Sequence, residues 1–353
     1  MLVTRGRVSL FGALALAAVH LVAGTVIPAA AASRVAVGAE FTALPHFGIA
    51  GGLVGGGERF GSLDYAGGFE VTASGGLVGG LSSLVVAPGG DRLVAISDDG
   101  VALTATILRD GAGRPVGWDT IRLSDLEILG QRQTLKSDTD AEGFDVAFDE
   151  AGGAVAYVSF EGSPRIGFAP LGADDSLGPL RKMDLPRDVG RIDGNAGFES
   201  VAVAPAGSAL AGSFVAIAET DPTGGADAPG WIFRRGTADQ RSAPGFTVAL
   251  SDGYAVTDAA FLPDGDLLVL ERRFGFTVGI GMRIRRIAGD TIRAGARLDG
   301  EVLIEANLAH QIDNMEGLSV WRDAAGRTRL SLVSDDNHSF LQRTLYLEFV
   351  LAE

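Results

Sequence analysis

The 353-residue chain contains no cysteine, which excludes disulfides and thiolate metal sites. It has only four histidines, so a histidine-rich zinc site is disfavoured as well. Long helical periods are missing. There is no G-x-S-x-G elbow, no H-E-x-x-H and no G-x-x-x-x-G-K-[ST] loop, so a serine-hydrolase nucleophile, a zincin and a phosphate-cradling loop all lack support. The glycine cluster GGLVGGG at 51–57 lacks dinucleotide-binding spacing and reads as a loop.

Positive charge is also scarce. The formal net charge is −15, a balance that repels nucleic acid and anionic lipid but suits divalent cations. Only one long apolar run occurs, at the start. Arg5 and Arg7 precede an almost wholly apolar stretch, Val8 to Gly24, followed by Pro28 and the small residues Ala29 to Ala32. This pattern predicts a secretory signal peptide over 1–32, cut after Ala32, with 33–353 as a single exported domain, periplasmic or secreted. An uncleaved membrane anchor is the alternative that its length permits. Arg5-Gly6-Arg7 is not a twin-arginine pair, which favours the general secretory route. Losing both arginines would take the net charge to −17. The mature protein is expected to be monomeric, with no membrane association and no nucleic-acid partner.

What is abundant is glycine, 51 residues of it, punctuating apolar runs of strand length. That is all-β punctuation. Five stretches share one pattern: GLSSLVVAPGGDRLVAISDD (80–99), EGFDVAFDEAGGAVAYVSFE (142–161), GFESVAVAPAGSALAGSFVAIAE (197–219), VTDAAFLPDGDLLVLERR (256–273) and MEGLSVWRDAAGRTRLSLVSDDN (315–337). Each is an apolar strand, a turn, a second apolar strand and an acidic end, recurring every roughly 55–62 residues. The pattern predicts a β-propeller with these as inner hairpins. Residues 34–75 are expected to supply most of a sixth blade, so six blades are favoured over five or seven. The C-terminal strand Thr344–Val350 is expected to pair with the N-terminal one and close the ring. Two packed sandwiches are the all-β alternative.

In such a ring the start of the first strand and the end of the second lie on one face. Glu142, Glu199, Asp258 and Glu316 hold the first position; Asp98 with Asp99, Glu161, Glu219, Glu271, and Asp335 with Asp336 hold the second. Arg165, Arg272, Arg273 and Arg343 fall in the same regions. Two like charges about 4 Å apart repel by ~4 kcal/mol at an effective dielectric near 20. Four arginines cannot neutralise so many acids, and oxygen ligands on flexible loops point to Ca²⁺. The expected ligand set is Asp98, Asp99, Glu142, Glu199, Asp258, Glu316, Asp335 and Asp336. Another candidate metal loop starts at Asp138-Thr139-Asp140-Ala141-Glu142-Gly143, with Asp149 eleven residues after Asp138, a spacing like that of an EF-hand. His338 is a further candidate acid or base.

Four segments carry a family resemblance: DAEGFDVAF (140–148), GNAGFESVAVAPAG (194–207), TDAAFLPDGDLLVLERRF (257–274) and IDNMEGLSVWRDAAGRTRLSLVSDDNHSFLQRTLYLEFVL (312–351). They resemble the phytase-like family, named for esterase-like activity. The resemblance implies an exported β-propeller and a calcium-dependent phosphoesterase or esterase acting on a small anionic ester. Two positions depart from the usual pattern: Gly162 stands after Glu161 in place of a basic residue, and His338 in place of an aromatic one. In a metal-assisted hydrolysis the ion would polarise the phosphoryl oxygen and acidify a water. Arg272, Arg273 and Arg343 would hold the anionic group, and Glu199 or Glu271 would act as general base. A non-catalytic propeller binding module with a structural ion, and a lactonase-like enzyme, are the alternative functions.

Overall fold

The structure is a computed structural model, which describes residues 35–48, 59–130, 135–149, 152–192, 196–275 and 279–352. The signal-peptide expectation for 1–32 lies outside the described residues. No helix among those described is long and apolar enough to cross a membrane.

The chain forms five sheets, antiparallel except where Gly245–Ala249 pairs in parallel with Arg297–Leu298 at the edge of the third, and each starts from one of the five recurring hairpins. The inner strands are Leu81–Val86, Ala141–Phe148, Phe198–Val203, Ala255–Phe261 and Asn314–Arg322. They touch one another in that order, and the last touches the first. A fully buried inner strand explains the unbroken apolar runs: all six residues of Leu81–Val86 are buried. Between each pair of neighbouring blades lies one apolar cluster, and there are five such clusters. Each fully buried large apolar side chain contributes roughly 1.5–3 kcal/mol. The domain is therefore held by blade-to-blade burial distributed around a ring.

The expected sixth blade is replaced by additions to existing sheets, and the propeller has five. Leu63–Ala73 pairs with the C-terminal strand Thr344–Leu351, and Ala39–Ala43 pairs outside it, so both extend the fifth blade. The first described strand, Val35–Ala36, edges the first blade instead. The expected pairing of the first and last strands is thus not found. The apolar residues of 63–73 drive this placement. Phe69 and Val71 are buried against Trp118, Val333 and Tyr346 in the cluster between the fifth and first blades. As a separate hairpin they would have nothing to cover them.

Hydrogen bonds cross between blades near the axis. Asp145 accepts from the backbone N–H of Val203 at 2.7 Å, and Ser319 accepts from that of Val86 at 2.9 Å. Asp258 accepts from Ser83 Oγ at 2.9 Å and from the N–H of Leu318 at 2.8 Å, tying the fourth blade to the first and fifth.

Candidate functional site: an acidic pocket at the channel mouth

Every inner hairpin carries an irregularity at the same place. The ladder shifts register between Leu81 and Ser83, Phe198 and Ser200, Val256 and Asp258, and Met315 and Gly317. In the second blade the shift lies between Val158 and Phe160, opposite Glu142 and Gly143. A bulge leaves one residue out of the ladder and re-aims its side chain. The residues so placed are Ser82, Glu142, Glu199, Thr257 and Glu316, and the three glutamates among them line one pocket.

The end of each second strand delivers a further side chain to the same face: Asp98, Glu161, Glu219, Arg272 and Asp335. Asp140, Asn314 and Asn337 complete the wall of a cavity of about 220 Å³. All five blades contribute to it. Gly80, at φ 61°, keeps its wall open, because a Cβ there would strike the Asp98 carboxylate.

Arg272 is the one cation in the lining among the described residues. Its Nη1 donates to Asn314 Oδ1 at 2.8 Å, while Nε lies 3.3 Å from Glu316 and Nη2 3.4 Å from Glu219. Asn314 Nδ2 donates in turn to Glu316 Oε1 at 2.8 Å. At the rim Lys136 bridges Asp98 at 2.5 Å and Asp140 at 3.1 Å. Arg165 holds the loop that carries Lys136, donating to the carbonyls of Ser137 and Asp138.

Crowding and burial raise these carboxyls. Burial, then Glu142 and Glu219, lift Glu199 well above the ordinary carboxylate range. Glu142 is lifted likewise, by burial and then Glu316. Burial pushes Glu316 up to about 8 against the opposing pull of Arg272. Burial and Asp140 push Glu161 up to about 7, and burial takes Asp335 up to about 6. Glu219 rises through burial despite Arg272.

The donor set fits a hard divalent cation. One carboxylate oxygen each from Glu161, Glu199 and Glu219 lies within 4.8 Å of the others, and the same holds for Asp140, Glu142 and Glu161. Glu199 is only 5% exposed and lies in the first of these groups. Asp98 Oδ1 is buried without a hydrogen-bond partner. Clustered carboxylate oxygens and a buried acceptor left unpaired are what a cation would satisfy.

Several expected site residues lie elsewhere. Glu271 is wholly buried one residue before the pocket position, accepting from Arg283 Nε at 2.6 Å and Arg285 Nη2 at 2.5 Å. The bulge in the fourth blade falls on Thr257, which puts Asp258 inside the channel. Asp99 sits on the rim, accepting from His338 Nε2 at 2.8 Å, outside the lining. Burial works against protonation of His338, yet Asp99 holds it above its ordinary value. Asp336 accepts from the N–H of Gly80 and from Thr344 Oγ1. Arg273 turns to Glu305 and over the ring of Tyr254, and Arg343 to Gln311 and the carbonyl of Ile312. The EF-hand-like loop does not form, because Ala141–Phe148 is a strand, although Asp140 and Glu142 reach the pocket.

Glu161 and Glu219 join the pocket in place of the displaced acids. Their position at the ends of second strands was their signal. Asn314 and Lys136 carry no comparable signal in the sequence, although Asn314 stands two residues before Glu316 as Asp140 stands two before Glu142.

The fold and the site define an all-β, five-bladed propeller with an acidic pocket at one mouth of its channel. The profile of the phytase-like family, described as esterase-like activity of phytase, matches residues 76–338, and the chain belongs to that family. No curated protein matches the chain. Similar solved structures include the endo-arabinase from Bacteroides thetaiotaomicron VPI-5482, at 13% identity and TM-score 0.45 over 76% of this chain and 93% of that one. The GH43_1 enzyme from Xanthomonas citri is similar at 13% identity and TM-score 0.45, over 78% and 88%. A protein of unknown function from Dyadobacter fermentans DSM 18053 is similar at 11% identity and TM-score 0.42, over 91% and 94%.

Proposed function

We propose that the protein is an exported, calcium-dependent hydrolase of phosphate esters or related esters, working at the acidic pocket. The observation that carries this reading is the convergence, among the described residues, of eight carboxylates on a small cavity with Arg272 as its only lining cation. Glu161, Glu199 and Glu219, with Asp140 and Glu142 beside them, would hold the ion. When bound, a divalent cation supplies polarisation of a phosphoryl or carbonyl oxygen and an acidified water.

The chain's own residues supply the rest. Arg272 lines the pocket and its side chain is 32% exposed, so its guanidinium can donate to an anionic oxygen of the substrate. Asn314 fixes the orientation of that guanidinium and of Glu316 together. Of the two carboxylates expected as general base, Glu199 faces the pocket, and Glu271 does not.

The test is turnover of p-nitrophenyl phosphate, p-nitrophenyl acetate, a lactone and an organophosphate, with calcium and with EDTA. Calcium-dependent release from at least one of them is expected. No hydrolysis under any metal condition overturns the reading. A second reading, a binding module with a structural ion, draws on the placement of Arg273 and Arg343 outside the lining, which leaves one guanidinium to hold an anion. It predicts a calcium-raised melting temperature without turnover.

A further inference from the structure

The loops around the acidic mouth display large apolar side chains to solvent. Phe340 is 96% exposed and Leu341 77% exposed, in the connection that begins at the pocket residue Asn337. That connection rests on the neighbouring one, where Gln342 donates to Asp313 and Arg343 to the carbonyl of Ile312. The same neighbouring connection carries exposed Leu308 and runs on into Asn314 of the pocket wall. Exposed Leu77 stands two residues before Gly79, which packs against Asp336, and exposed Leu135 precedes Lys136 of the rim. Single exposed leucines need no explanation, but five such side chains on the loops bordering one cavity do.

The cavity itself is small and negative. Its volume of about 220 Å³ is below that of pockets enclosing a whole drug-sized ligand, roughly 300–1,000 Å³. Only the head of a substrate enters it, and the remainder lies across the rim. The eight formal carboxylates face Arg272 inside and Lys136 at the edge. An anionic head can pair with a bound ion and Arg272, and a second anionic group meets no further lining cation among the described residues.

We infer that the substrate is an amphiphilic ester, with a single phosphoryl or acyl head in the pocket and an apolar tail on the rim formed by Leu308, Phe340 and Leu341. A polyanionic ester is disfavoured. This inference rests on the hydrolase reading above and names its substrate class.

The experiment is calorimetric titration of the full protein, with calcium, against methylphosphonate, octylphosphonate below its micelle concentration, and fructose 1,6-bisphosphate. Octylphosphonate is expected to bind at least tenfold more tightly than methylphosphonate, and the bisphosphate at least tenfold more weakly. The exposed double variant Phe340→Ser with Leu341→Ser should remove the octyl advantage and leave methylphosphonate binding unchanged. Equal affinity for the two phosphonates, or tighter binding of the bisphosphate, overturns the inference and leaves the hydrolase reading standing. Absence of phosphonate binding together with absence of turnover overturns both. Phosphatidylcholine vesicles are the control: if the double variant loses vesicle binding while the two phosphonates bind equally, the rim is a membrane anchor and the inference fails.

Discussion

Asn314 holds the guanidinium of Arg272 at 2.8 Å while its own amide nitrogen, also at 2.8 Å, holds Glu316. One amide thus orients a lining cation of the pocket and one of its acids. Without a bound ion, Arg272 is the main relief for the surrounding carboxylates. Arg272→Met is expected to destabilise the metal-free protein, because it leaves the buried carboxyl of Glu316 without its partner. Calcium should restore more in the variant than in the native protein, since it replaces a missing charge. Melting curves in EDTA and in calcium check this, and a smaller calcium-induced rise in the variant would contradict it.

Glu271 sits one residue before Arg272 and belongs to a different environment. It is wholly buried between Arg283 and Arg285, which also reach Asp252 and Asp299 at the surface. Glu271→Gln would leave two buried guanidinium groups short of a counter-charge, at a cost of about 3–5 kcal/mol. Calcium affinity should stay within twofold of the native value. Urea denaturation and calcium calorimetry separate these effects, and a large drop in affinity at unchanged stability would return Glu271 to the site.

Glu271 and Arg272 are adjacent in the sequence, and nothing in the apolar pattern around them tells which one faces the pocket. The five hairpins and their shared acidic face were legible, because buried strands demand unbroken apolar runs and turns demand glycine. The bulges were not. A one-residue bulge in the fourth blade moves Thr257 to the pocket position and Asp258 into the channel, yet both residues sit among equally apolar neighbours. Apolar patterning therefore fits either alignment. The blade count failed for a related reason. The strand Leu63–Ala73 has the alternation of a blade strand, and only its partner Thr344–Leu351, nearly the whole chain away, decides which sheet it joins.

The raised carboxyls give the metal-free protein a pH dependence with a definite sign. An acid whose folded value lies above its unfolded value binds more protons when folded, so its stabilising effect is full at low pH and is lost as pH rises. Asp335, Glu161 and Glu316, at about 6, 7 and 8, place that loss between roughly pH 4.5 and 8. In EDTA the melting temperature should fall across this window. Calcium, which competes with these protons, should oppose the fall most strongly at pH 8. A melting temperature that rises from pH 5 to 8 in EDTA would contradict the crowding.

Asp258 has a structural task that an amide cannot perform. Both carboxylate oxygens accept: Oδ1 from the N–H of Ala259, and Oδ2 from Ser83 and the N–H of Leu318. Asp258→Asn would turn an NH₂ group toward a backbone N–H in either orientation. The loss is expected to be about 1–3 kcal/mol, the cost of a buried unsatisfied group. Chemical denaturation measures it, and a variant as stable as the native protein would mean that these three bonds contribute little.

Glu199 should show the opposite pairing of effects, and that pairing identifies a ligand. Its side chain is buried and is crowded by Glu142 and Glu219. Holding such a group ionised is unfavourable unless a cation compensates it. Glu199→Gln removes the repulsion and keeps the shape, so the metal-free protein at pH 8 should be as stable as the native one or more so. Calcium binding should weaken at least tenfold, because a charged oxygen donor becomes a neutral one. Melting in EDTA and calorimetric titration with calcium provide both readouts. A variant less stable without metal and unchanged in calcium affinity would make Glu199 a packing residue and move the ion, if one binds, to the Asp140, Glu142 and Glu161 side of the pocket.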